Sequence, residues 1–81
     1  MDEQRTERRH RVLKSGRISV GSKAPKIDCT VRDLSDTGAR LIVPSSTFGI
    51  PAEFLLAIGE AAARPCRVVR RTMSEIAVEF I

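Results

Sequence analysis

The chain has no tryptophan and no tyrosine, a single histidine, His10, and only two cysteines, Cys29 and Cys66. Each scarcity removes a class of function. Single-stranded nucleic acid is usually held by stacking bases on exposed aromatic rings, and Phe48, Phe54 and Phe80 are the only rings available. One histidine and two distant cysteines fall short of the ligand set of a structural zinc site. No metal or cofactor is expected. There is no convincing carboxylate pair for acid–base work and no nucleophile motif, so an enzyme is not expected either. No stretch approaches the roughly 18 apolar residues that span a bilayer, and the N-terminus is charged where a signal peptide would be apolar. The expectation is a soluble, cytoplasmic protein without membrane insertion.

What is present is mostly aliphatic and basic. At 81 residues there is room for one domain, near the lower limit for a self-sufficient core. A hydrophobic share of 42% without long polar tracts argues for a folded chain. The net charge is +4, and eleven of the fourteen basic residues are arginine. Arginine forms bidentate contacts with phosphate and with guanine edges and stacks on flat bases, which leans toward a nucleotide or nucleic-acid partner. A GC-rich genome explains the overall bias equally well. It does not explain why Arg5, Arg8, Arg9 and Arg11 fall within seven positions.

Hydrophobic periodicity reads as strands. Residues 1–12 are largely charged and without period, a basic, flexible N-terminal arm, and residues 13–81 form the domain. The first strand is expected at Arg17-Ile18-Ser19-Val20, after Gly16. Ile27, Cys29 and Val31 alternate with polar neighbours, as do Ala39, Leu41 and Val43 after a turn at Asp33 to Gly38. Phe54, Leu56 and Ile58 make a fourth strand. A fifth places Cys66, Val68 and Arg70 on one side, and Ile76, Val78 and Phe80 face one way in the last. The Glu60-Ala61-Ala62-Ala63 stretch alone has helix-forming composition and is too short for a stable helix. Six short strands separated by turn signals predict an all-β, six-stranded antiparallel barrel, with both cysteines packed in its core.

The run Asp33-Leu34-Ser35-Asp36-Thr37-Gly38 has the spacing D-x-S-x-x-G, suited to a tight turn at a strand end where polar side chains and a closely approaching backbone meet a ligand edge. Asp and Ser bonding the local backbone, with Gly at positive φ, is the ordinary structural reading of the same residues. Upstream, Arg5 and Arg9 form an R-x-x-x-R pair 24 residues before Asp33, while Arg8 and Arg11 form a compressed alternative whose second member stands directly before the apolar Val12-Leu13. The two halves together resemble the PilZ domain, a small bacterial β-barrel family that binds the second messenger cyclic di-GMP through R-x-x-x-R followed by [DN]-x-S-x-x-G. Thr30 to Ser35 and Ile76 to Phe80 are similar to the family's strand entering the turn and its last strand. The resemblance spans essentially the whole chain.

It implies a PilZ-like barrel whose ligand is cyclic di-GMP, with Arg5, Arg8, Arg9, Asp33, Ser35 and Gly38 at the site. Guanine offers O6 and N7 acceptors that match a forked guanidinium. Asp33 would accept from the guanine N1–H and N2–H₂ donors, Ser35 would bond a base or phosphate oxygen, and Gly38 would leave room beside the base. The arm would close over the phosphates, often around a stacked ligand pair, and the ordered surface would be read by an unidentified effector protein. Arg70 and Arg71 are expected as a charged barrel edge, with a ligand-facing position as the alternative. Two other functions remain open. One is an OB-like nucleic-acid binder, disfavoured by the missing aromatics. The other is a degenerate PilZ-like protein-interaction module that does not bind cyclic di-GMP.

Overall fold

The computed structural model describes residues 10–21 and 23–81. Six strands form in chain order: β1 His10–Ser19, β2 Ile27–Leu34, β3 Gly38–Ile42, β4 Glu53–Ile58, β5 Arg64–Arg71 and β6 Glu75–Phe80. All pairings are antiparallel, and the strands close into a barrel in the spatial order β1-β2-β3-β6-β5-β4. The alternating positions read from the sequence converge inside it. Ile18, Val31, Leu41, Val43, Leu56, Cys66 and Ile76 are fully buried, with Cys29, Ile50, Phe54 and Val78 beside them. The segment Gly59 to Ala63 is a turn and bend, with no helix among the described residues.

The first strand is longer than the pattern predicted. It begins at His10, so residues 10–12, assigned to the arm by their charge, belong to β1, with His10 opposite Leu34 and Arg11 opposite Asp33 in β2. Gly16 lies inside this strand rather than before it. A Cβ there would sit 2.8 Å from Cys29 Sγ and 3.2 Å from Val31 Cγ2, so the glycine lets β1 pack tightly on the core. Arg5, Arg8 and Arg9 lie outside the described residues.

Three bulges interrupt the ladders, between Arg11 and Lys14 in β1, between Val31 and Asp33 in β2, and between Val68 and Arg70 in β5. An extra residue reverses the side-chain phase of the strand beyond it. Simple alternation puts Arg70 on the inward side with Cys66 and Val68. The bulge at Val69 corrects this: Arg70 pairs with Ala77 and is exposed.

Both cysteines are free thiols, and burial, the larger cause, pushes each pKa up from the ordinary 9.0 to about 11. The Asp28 charge adds to the effect on Cys29, whereas Arg64 partly opposes it on Cys66. Between 9.0 and about 11 the unfolded chain loses thiol protons that the folded chain keeps, so stability falls as pH rises through that window. Urea unfolding midpoints should therefore decline above about pH 9, and more steeply in the wild type than in Cys66→Ala. Gly38→Ala should cost about 2 kcal/mol or more, because its Cβ would stand 2.3 Å from the Val78 carbonyl oxygen. The same denaturation experiment measures it.

Candidate ligand-binding site

The bulge in β2 decides where Asp33 points. In unbroken alternation Asp33 would share the inward side of Cys29 and Val31. The extra residue, Arg32, turns Asp33 to the outer face opposite Arg40, and turns Leu34 inward opposite Ala39. The bulge in β5 does the same for Arg70. Register then aligns Arg11, Asp33, Arg40, Ala77 and Arg70 in one transverse row across β1, β2, β3, β6 and β5.

The row crosses a shallow groove of about 280 Å³. Gly38, Ala39 and Ala77 supply small residues to its lining, Asp33 and Arg40 stand at one side, and Val69 and Arg70 at the other. Ser35 and Thr37 reach it from the β2–β3 turn, and a second recess of about 380 Å³ lies across that turn against Val12, Lys14, Arg64 and Phe80. Ser35 lines both. In the second recess the Arg64 guanidinium sits 3.8 Å from the centre of the Phe80 ring, a cation–π contact.

Within the signature turn the side chains first serve the backbone. The Ser35 hydroxyl accepts from the Gly38 amide at 3.1 Å and the Thr37 amide at 3.2 Å, while the Ser35 amide donates to the Gly38 carbonyl at 2.9 Å. The Phe80 amide donates to the Thr37 carbonyl at 2.7 Å, fastening the turn to β6. Gly38 is not among the residues at positive φ. It is glycine because the Val78 backbone occupies the space a Cβ would need, so the turn's geometry depends on packing rather than on a left-handed conformation.

Charge in the groove is mostly compensated. Arg40 Nε donates to Asp33 Oδ2 at 2.5 Å and its Nη1 lies 3.3 Å from Glu75 Oε1. These bonds raise the Arg40 pKa, with the Asp33 hydrogen bond the largest cause. Glu79 is bonded by Arg67 at 2.7 Å, and Arg67 also reaches Glu53 at 3.5 Å. Arg70 makes no ion pair among the described residues. It is therefore the groove's uncompensated cation, with exposed Arg11 next to Asp33 at the far end of the row.

The turn was visible in the residue pattern, whereas Arg40, Ala77 and the groove were not. Arg40 lies two residues beyond Gly38, on the outward phase of β3, and that phase was the one available signal. The pairing of Arg11 with Asp33 was hidden by ending the arm at residue 12.

The family model for the PilZ domain matches residues 3–81. The chain belongs to the PilZ domain family. No curated protein matches it. The match covers the described barrel, the D-x-S-x-x-G turn and most of the basic N-terminal segment of this PilZ domain. Among the described residues no helix is long and apolar enough to cross a membrane.

Arg40→Gln should lower stability by about 1–2 kcal/mol, since it leaves the Asp33 carboxylate, only 15% exposed, without its cross-strand donor. Glu75→Gln, at a carboxylate 43% exposed, should cost less than about 1 kcal/mol. Chemical denaturation of the two variants tests that order.

Proposed function

We propose that this PilZ domain is a cytoplasmic receptor for cyclic di-GMP that binds the messenger without turning it over. The observation that carries the reading is the transverse row: two bulges bring Asp33 and Arg70 to one outer face, on either side of a floor of small residues, beside the signature turn. PilZ domains are generally receptors for this ligand and act as binding or adaptor modules, which makes the row's chemistry interpretable.

In this reading a guanine lies over the groove. Asp33, oriented by Arg40, accepts from its N1–H and N2–H₂ donors, and the small side chain of Ala77 permits a flat base to approach, while Gly38 holds the turn against β6. Arg70 offers a guanidinium to the base edge or to a phosphate. Ser35 contributes through the turn it shapes and through its place in the lining of both recesses. Arg5, Arg8 and Arg9, with Arg11 at the strand start, neutralise the phosphates. Ordering of the arm around the ligand then presents an altered surface to an effector protein.

A second reading has its own support. Ser35 and Gly38 both have structural duties that need no ligand, so the turn would persist in a PilZ domain that has become a pure protein-interaction module. Calorimetric titration with cyclic di-GMP, with GTP and a single-stranded oligonucleotide as controls, separates the two. Saturable, selective binding at micromolar or tighter affinity supports the receptor, whereas no saturation with folded protein supports the module.

Asp33→Ala should weaken binding about tenfold or more, because loss of a good base contact costs about 1–3 kcal/mol. The loss should persist at high salt. The double variant Arg8→Ala/Arg9→Ala should also bind weakly, but with a shallower salt dependence than the wild type, since its missing contacts are ionic. Retained affinity in either folded variant would remove the corresponding residues from the site.

A further inference from the structure

The barrel end opposite the signature turn carries a second, unrelated arrangement. Three connections lie at that end, β1 to β2, β3 to β4 through residues 43–52, and β5 to β6 through residues 72–74, and the last two are hydrogen-bonded to each other. Phe48 stands at 93% exposure and Met73 at 84%, the two most exposed large hydrophobic residues described. The backbones that carry them run side by side, since the amide of Thr47, next to Phe48, donates to the Met73 carbonyl at 3.0 Å.

Phe48 is not the tip of a slack loop. Thr47 is buried, its hydroxyl donates to the Thr72 carbonyl at 2.5 Å, and its own carbonyl accepts from Arg71 Nη1 at 2.9 Å. The Val43 amide bonds the Ser74 carbonyl at 2.7 Å, Ile50 is inserted in the core, and the Ser46 hydroxyl accepts from the Phe48 amide at 3.0 Å. Ser46 itself sits at φ 110, a conformation rarely adopted by a residue with a side chain. A fixed, outward phenylalanine on both sides of which the backbone is anchored loses little conformational freedom when it is bound.

The loops themselves carry charge of one sign. They contain Lys23 and Lys26 and no acidic residue, and Arg71 flanks Met73. The carboxylates at the adjoining strand starts, Asp28, Glu53 and Glu75, face Arg17, Arg67 and Arg40 respectively. We propose that this end of the barrel is a docking surface for a protein partner that offers an apolar site for Phe48 and Met73 ringed by Asp or Glu side chains. Charge complementarity selects such a partner and disfavours a second copy of this chain meeting end to end, where like charges would face. An anionic bilayer is the poorer fit. It offers no stereospecific cleft that a braced single ring would serve, and the surface has no Trp or Tyr for the interface. The proposal concerns the far end of the barrel and does not depend on cyclic di-GMP.

The probes are peptides recovered from a random-sequence display library on the full chain, together with vesicles of phosphatidylserine and phosphatidylcholine. The variants are Phe48→Ser and the pair Lys23→Glu/Lys26→Glu, with thermal unfolding as the control for folding. At so exposed a position Phe48→Ser should leave the unfolding temperature essentially unchanged. The proposal expects recovered peptides in which apolar residues are flanked by Asp or Glu, binding wild type at least about tenfold more tightly than either variant. Should the library yield no peptide whose binding depends on Phe48, or only peptides lacking acidic residues, the proposal fails. Phe48-dependent binding to the vesicles without such peptides would overturn it in favour of a lipid surface.

Discussion

The closure of β3 against β6 is the constraint on which the other features depend. These strands are far apart in sequence, and at Gly38 their backbones approach so closely that a methyl group would lie 2.3 Å from the Val78 carbonyl oxygen. Tight approach at that seam keeps Ala77 level with Arg40 and holds the signature turn against Phe80. A wider seam would separate the two halves of the groove, since Asp33 and Arg40 belong to one side of it and Val69 and Arg70 to the other. Gly38 thus acts on the site through the fold: the residue that gives a PilZ turn its signature is also the residue that lets the barrel close.

Two single-residue bulges then convert a regular barrel into one with a polar row on its outside. Had β2 continued its alternation, Asp33 would face the core and demand a buried partner. Displacement by one residue places it beside Arg40, where a short charge-assisted bond and the further link to Glu75 fix its orientation. The same slip in β5 leaves Arg70 on the surface, with no carboxylate paired to it among the described residues. Compensated charges line most of the groove, and Arg70 leaves its positive field there unopposed among the described residues.

The strands and the core were legible because aliphatic residues recur at alternate positions in Ile27 to Val31, Ala39 to Val43 and Ile76 to Phe80, and nothing else in the chain competes to fill a barrel. The turn was legible from Asp33, Ser35 and Gly38. The bulges were not. Arg32 and Asp33 are both polar, and Val68 and Val69 are both apolar, so a phase slip at either place leaves the pattern of residue types almost unchanged. Gly16 misled for a related reason: glycine usually punctuates a strand, yet here it lies within one, where the core presses closest. The reason for Gly38 was equally hidden, because its neighbour in space, Val78, is forty positions away.

The outer row beside the signature turn is the proposed ligand-binding face of this PilZ domain. Amide chemical-shift mapping of the isotope-labelled protein during titration with cyclic di-GMP tests it most directly. Binding at this face should give saturable shifts concentrated at Ser35, Thr37, Gly38, Arg40, Ala77 and Arg70, with Gly21, Thr47 and Met73 at the opposite end unaffected. Shifts confined to that opposite end, or none at saturating ligand, would contradict it.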